Sequence, residues 1–264
     1  MSRPASAAAE SAPSPAIRAQ LLGAPELRCS ERRFALSRQR NRLLFYLLAA
    51  RPGPVGRDTL YGLLWPEADE HQAHRALSQA LTQIRADLPE PTALRHNRES
   101  VWLDRTVVWS DVAALDGLAI GAPAARSTAD LETVVTLYRG RFLEGVSCAG
   151  QIDLEDWMLA EADRMERIVL ESLAELCRRH ARADRLREAT ATAQRYLRFD
   201  PCDERMHRRL LSLFAATDNR NAAIAHYRRC VDVLHRELGV APEAATRAAY
   251  ERATGHRVAV PSIV

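Results

Sequence analysis

A chain of 264 residues exceeds the ordinary size of one compact domain, so two cores are expected. Aromatic residues make up only 6% while Ala and Leu abound, which weighs against a large β-sandwich and makes the expected fold class mainly α. The net charge of +3 is too mild to mark a nucleic-acid binder by itself. All 37 basic residues are Arg, the side chain that grips phosphate and guanine edges with two prongs; a genome rich in G and C yields the same inventory without functional selection.

Cys29, Cys148, Cys177, Cys202 and Cys230 are odd in number and widely spaced, the pattern of reduced, packed thiols rather than of zinc or redox sites. No apolar run approaches the roughly 18 residues of a membrane span, and the start lacks the order of a signal peptide. The expected location is the cytoplasm, in association with the nucleoid. There is no P-loop, dinucleotide turn, nucleophile elbow or His-Glu-x-x-His, so neither an enzyme nor a cofactor is expected.

Residues 1–15 are Ala, Ser and Pro with nothing large to bury, the composition of a disordered tail. Short β-like runs follow at Ile17 to Leu22, Glu26 to Cys29 and Arg33 to Leu36, separated by turn residues. Ser37 is the expected N-cap of a first helix with a buried stripe of Leu43, Leu44, Leu47 and Leu48, and Asp58 that of a short second helix ended by Pro66. The third helix has the strongest start, Asp69 with Gln72 three residues on. Its apolar residues Ala73, Leu77, Ala80, Leu81, Ile84 and Leu88 form one face, and the polar residues occupy the others. Thr92 to Arg95 and Ser100 to Leu103 then pair as a hairpin around His96 to Glu99, with a further strand at Val107 to Trp109. Sheet, three helices and terminal hairpin, in this order, are the layout of a winged helix-turn-helix.

Leu118 to Arg126 has a linker composition, and Ser127 with Asp130 opens a helical region running to about residue 254. Within it Asp184, Ala189 and Leu197 match Asp218, Ala223 and Val231 at an offset of 34 (184 to 218), the tetratricopeptide period. Asp200-Pro201 is read as the start of one of these helices, and Gly239 as the end of another before Pro242. The expected domains are a tail over 1–15, a winged helix over 16–118, a linker over 119–127, a tetratricopeptide-like all-α repeat domain over 128–255 and a flexible tail over 256–264.

The chain resembles the SARP-type antibiotic regulatory activators, which join an OmpR-like winged helix to a bacterial transcriptional activator domain. The matching motifs in the first half are Leu21-Leu22-Gly23-Ala24-Pro25, Leu63-Leu64-Trp65-Pro66 and Ala76-Leu77-Ser78-Gln79-Ala80-Leu81 through Ile84-Arg85. In the second half they are Leu137-Tyr138-Arg139-Gly140-Arg141-Phe142-Leu143, Glu155-Asp156-Trp157 with Ala160-Glu161, and His235-Arg236-Glu237-Leu238-Gly239-Val240-Ala241-Pro242. The chain departs from the pattern in a Gly-free wing turn, where Asn97 is expected to supply the left-handed conformation, and in Ser30-Glu31-Arg32. It is similar to the short members, without ATPase or sensor modules. The resemblance implies an activator specific to a secondary-metabolite gene cluster, binding promoter repeats in double-stranded DNA as a homodimer and recruiting RNA polymerase holoenzyme.

Major-groove reading needs side chains on the exposed face of the third helix near its start, and His71, Gln72, Arg75, Ser78 and Gln79 meet that condition. Arg38, Arg40, Arg42 and Arg57 stand where such domains clamp phosphates, with His74 beside them. Arg95, His96, Asn97 and Arg98 form the wing turn. His71 and His74 lack the further ligands that zinc needs, so no metal is expected. The rival reading is a helical-repeat adaptor whose winged helix binds no DNA; it would favour apolar residues where Gln72, Arg75 and Gln79 stand.

Overall fold

The structure is a computed structural model that describes residues 15–148 and 150–255. The tails expected over 1–15 and 256–264 lie outside the described residues, Pro15 apart. Strands β1 (Ile17–Gln20), β2 (Glu26–Cys29) and β3 (Arg32–Phe34) form an antiparallel meander with Ile17 opposite Cys29 and Leu27 opposite Phe34. Ser30 turns β2 into β3 in the left-handed region at φ 51°, a conformation Gly adopts at less cost. The strand expected after the hairpin, β7 (Val108–Ser110), joins this first sheet instead, pairing parallel to β1 in the order β3-β2-β1-β7. Parallel neighbours require a long crossover, and here the three helices and the hairpin supply it.

Helix α1 (Gln39–Ala50) is the centre of the winged-helix core. Beyond the expected leucine stripe it buries Asn41, Phe45, Tyr46, Ala49 and Ala50, so it is enclosed nearly all round. Ser37 does not cap it: the preceding residue is Arg38, and both the backbone N and Oγ of Ser37 donate to Asp87 Oδ2 at 2.9 and 2.7 Å. Nor does Asp58 cap α2 (Arg57–Leu64); it lies within the first turn after Gly56, where its charge still favours the helix dipole. Asp69 caps α3 (Glu70–Asp87) as expected, its Oδ1 accepting from Gln72 N at 2.8 Å. A second sheet, ordered β4-β6-β5, contains β4 (Val55–Gly56), β5 (Leu94–His96) and β6 (Ser100–Leu103).

Asp111, at the start of α4 (Asp111–Leu118), is buried. Its carboxylate accepts from Leu21 N at 2.8 and 2.9 Å, Leu22 N at 3.0 Å and Val112 N at 2.9 Å. The other side of the same β1 extension receives a distant segment, as Leu143 N donates to Leu21 O and Glu144 N to Gly23 O, with an isolated bridge from Leu22 to Phe142. Accordingly Phe142–Leu159 packs with the residues up to Ala114 as one compact unit, and Leu115–Arg141 packs with the residues from Ala160 onward as the other. The expected division is a winged helix over 16–118, a linker over 119–127 and repeats over 128–255; in the structure contact in space rather than sequence order decides membership.

The stretch expected as a linker belongs to the second unit and lies on its surface, held there by hydrogen bonds. Arg126 donates to Ala119 O, Gly121 O and Ser172 Oγ, and Arg179 reaches Ala124 O and Arg126 O. Helix α5 (Thr128–Leu137) opens with the full capping box of Ser127 and Asp130. After α6 (Ile152–Arg182) come α7 (Leu186–Phe199), α8 (Glu204–Ala216), α9 (Arg220–Leu238) and α10 (Ala244–Thr254). The repeat is visible in the backbone: Asp184 and Asp218 both take positive φ, at 56° and 50°, in the turns before α7 and α9. Ala189 and Ala223, the small residues one turn later, are fully buried. Pro201 does not start α8; Asp203 caps it by accepting from the N–H of Arg205 and Met206, whereas Gly239 ends α9 as expected at φ 68°.

Between α8 and α9 two buried histidines meet, His207 Nδ1 lying 3.0 Å from His226 Nε2 and His207 Nε2 2.9 Å from Pro201 O. A carbonyl only accepts, so His207 carries its proton on Nε2 and its Nδ1 accepts from His226. Burial pushes both imidazoles below the ordinary histidine value near 6.5, and His226 down to about 3, helped by His207 and Arg229.

The Asp111 carboxylate has no equal substitute, so Asp111→Ala leaves buried backbone N–H groups unpaired and is expected to lower stability by about 3 kcal/mol, read by denaturant unfolding against wild type. The unfolded chain protonates His226 near pH 6.5 while the folded chain resists until about 3. Stability is therefore full above that upper value and falls as pH drops through the interval. In a His226→Gln variant the slope of unfolding free energy against pH between these limits is expected to be shallower, and an unchanged slope would contradict the assignment.

Candidate nucleic-acid interface

Helix α3 presents two chemically distinct faces. Ala73, Leu77, Ala80, Leu81 and Ile84 are buried, whereas His71, Gln72, His74, Arg75, Ser78, Gln79 and Thr82 are exposed. All five residues expected to read bases therefore share the solvent side of one helix, near its capped start. Their donors and acceptors differ usefully. Arg75 offers only donors, in the fork that matches guanine O6 and N7, and Gln72 and Gln79 offer one of each, as adenine N6 and N7 require. The Ser78 hydroxyl donates to His74 O at 2.9 Å, which leaves its oxygen free to accept from a base amine.

Two depressions flank this face. One, of about 420 Å³, places Arg38 against Ser78, Gln79, Thr82 and Gln83. Beside it Ser37 is clamped to Asp87, and the hydrogen bonds from Ser37, with a smaller contribution from Arg38, keep the Asp87 carboxyl below the usual range. The other, of about 560 Å³, brings together Arg57 and Tyr61 of α2, His71 and His74 of α3, and Arg98 of the wing turn. Asp58, Glu70 and Glu99 line it too, so its field is mixed and repels phosphate more than the Arg38 side does.

The remaining cationic candidates are engaged within the fold. Arg57 Nε and Nη2 donate to Asn97 O at 3.2 and 2.9 Å, tying α2 to the wing. Arg42 Nη1 donates to Leu36 O, Arg40 lies over the Trp65 ring at 5.7 Å, and Arg95 pairs with Asp104 at 3.3 Å in an exposed bridge of small energetic weight. Desolvation first, then Arg85 and Arg57, hold the His96 imidazole below its ordinary value, so it stays neutral at neutral pH. Asn97 shapes the turn differently from expectation. Its φ is not positive; its Oδ1 accepts from Glu99 N, Ser100 N and Ser100 Oγ, an Asx turn that removes the need for Gly.

Sequence reasoning placed Thr82 and Gln83 on the polar faces of α3 without assigning them to the interface, and it missed Tyr61 and the acidic trio beside the wing, which nothing local signals. Among the described residues no cluster of three or more His, Cys, Asp or Glu suits a metal ion, and no helix is long and apolar enough to cross a membrane.

The bacterial transcriptional activator domain matches residues 110–253, more than half of the chain. The chain belongs to this family. It is a family of transcriptional activators and not an enzyme class, and it bears out the resemblance drawn from the motifs. Among solved structures, that of Mycobacterium tuberculosis EmbR in complex with a low affinity phosphopeptide is similar at 19% identity with a TM-score of 0.65, covering 94% of this chain and 67% of that one. The likeness establishes the shared fold, an OmpR-like winged helix with a helical-repeat activator domain. No curated protein matches the sequence. In this activator-domain protein the wing depends on one side chain, so Asn97→Ala is expected to lower stability by about 1 kcal/mol while Asn97→Asp, which keeps the accepting oxygen, loses less; thermal melting of both variants checks it.

Proposed function

We propose that this activator-domain protein binds promoter DNA sequence-specifically through the exposed face of α3. The observation that carries the reading is the concentration of Gln72, Arg75, Ser78 and Gln79 on the solvent side of a helix whose other side is core. In this reading His71, Gln72, Arg75, Ser78 and Gln79 meet base edges, Arg38 contacts the backbone on one flank, and His74 and Arg98 do so on the other. Arg40, Arg42, Arg57 and Arg95 support the fold more than the duplex.

The target is a promoter with direct repeats in a secondary-metabolite gene cluster, occupied by two protomers side by side. The helical repeats then supply contacts to the neighbouring protomer and to RNA polymerase holoenzyme, since stacked helices offer surface without reactive chemistry. Winged helix and repeats divide the labour, the protein working in the cytoplasm on the nucleoid.

Two variants separate specificity from affinity. Arg75→Ala is expected to lose roughly 1–3 kcal/mol on the operator and little on random duplex. Arg38→Ala is expected to weaken both alike and to reduce the slope of log affinity against log salt by about one unit. Fluorescence anisotropy on both duplexes reads these effects, with thermal melting to exclude unfolding and footprinting to count the protected half-sites. An unchanged operator preference in Arg75→Ala overturns the reading face, and a wild-type protein that retards no promoter duplex overturns DNA binding in favour of an adaptor.

A further inference from the structure

Helices α7, α8 and α9 border an open pocket of about 450 Å³ within the repeat unit, a size in the range of small-molecule sites. Its apolar wall is made by Leu197, Leu210 and Val233, one from each helix. The rings of His207 and His226 add an aromatic surface, tilted 36° with centroids 4.9 Å apart. Both His207 ring nitrogens and His226 Nε2 are already hydrogen-bonded, so the pair contributes surface more than free donors. It also remains uncharged at neutral pH because burial opposes protonation.

The formal charges lining the pocket are Arg198 of α7 and Arg229 of α9. Gln194 adds a neutral amide, and no carboxylate lines it. Among the described residues neither Arg198 nor Arg229 has an ion pair or a hydrogen-bond partner. Asp200, Asp203 and Glu204 bear on His207 electrostatically but stand outside the lining. Arg126, Arg164 and Arg179 elsewhere in the unit are committed to partners, whereas Arg198 and Arg229 are open like other surface arginines such as Arg167, Arg187 and Arg228 and differ from those in lining the cavity. Two uncommitted guanidinium groups at an apolar and aromatic cavity form a complementary surface for one kind of small molecule, an apolar body with an anionic head.

We propose that this pocket binds a small amphipathic monocarboxylate, its hydrocarbon or aryl body against Leu197, Leu210, Val233 and the paired histidines and its carboxylate on Arg198 and Arg229. The inference is independent of the DNA-binding reading and is tested without DNA. Because Pro201 and the two histidines join the turn before α8 to both α8 and α9, an occupant of this pocket touches all three helices of the repeat pair and stabilises their packing.

The test uses the full chain at neutral pH, with the imidazole signals of His207 and His226 followed by NMR and assigned by single replacement. Phenylacetate, 2-phenylethanol and phenethylamine present the same ring with negative, neutral and positive heads, and octanoate serves as a second carboxylate. The expected result is saturable shifts with either carboxylate, at least about tenfold tighter than with the alcohol and absent with the amine. Arg198→Gln and Arg229→Gln are each expected to weaken carboxylate binding by roughly tenfold and leave the alcohol unaffected, and Val233→Trp, which fills the cavity, to abolish both. Melting curves establish that these three exposed or half-buried replacements are folded. The proposal is overturned if neither carboxylate gives saturable shifts up to about 10 mM, if all three heads bind alike, or if the folded Gln variants keep full carboxylate affinity.

Discussion

The buried carboxylate of Asp111 is the constraint on which the winged-helix unit depends. A carboxylate has lone pairs for about four donors, and this one uses them on the backbone N–H groups of Leu21, Leu22 and Val112. The charge is compensated by those dipoles and by the N-terminal end of α4, where negative charge is favoured. Pinning Leu21 and Leu22 in this way fixes the end of β1 and leaves the carbonyls of Leu21 and Gly23 directed to the Leu143 and Glu144 amides. The parallel partner β7, which leads straight into Asp111, is held by the same arrangement. One side chain thus links the first strand, the last strand and a segment more than a hundred residues away in sequence.

Sorting of the arginines is the second theme. An all-Arg cationic inventory places many identical groups on the surface, and identity by type says nothing about which are available. The fold decides through nearby acceptors: Arg57 is taken by the wing carbonyl of Asn97, Arg42 by Leu36, and Arg95 by Asp104. The Arg38 guanidinium makes no hydrogen bond or ion pair among the described residues and acts on Asp87, whose Oδ2 Ser37 engages, only at longer range. Arg75, on the outer face of α3, likewise stays accessible. The same logic separates Arg198 and Arg229 from the structural arginines of the repeat unit.

The repeat unit is stabilised by small residues as much as by large ones. Ala189, Ala193 and Ala223 are fully buried, which permits close approach of neighbouring helices, while Tyr138 edge-on to Phe199 and Tyr227 stacked on Tyr250 fill the wider spaces. The two histidines are among several buried polar residues of this unit, tolerated because each finds a partner and neither carries charge.

Local chemistry was legible in the sequence. Asp69, the Ser127–Asp130 box and Gly239 act on the backbone within a few residues of themselves, so their roles are written in adjacent letters. The amphipathic period of α3 and the 34-residue repeat were equally plain, since side-chain periodicity is a property of one helix, and with them came the polar face on which the candidate interface rests. Ser37, Asp58 and Pro201 misled because a cap-like residue has alternatives that its neighbours in sequence do not reveal, Ser37 finding Asp87 fifty residues on. Only the tertiary structure decided that β7 leaves the wing for β1, that Phe142–Leu159 returns to the first unit, and that the expected linker is tied to the second unit by hydrogen bonds. It alone decided which arginines remain free and that His207 meets His226 across two helices. The physical reason is common to all of these: hydrogen-bond partners and charges are chosen by distance in space, whereas sequence patterns report only the periodicity and capping of a segment by itself.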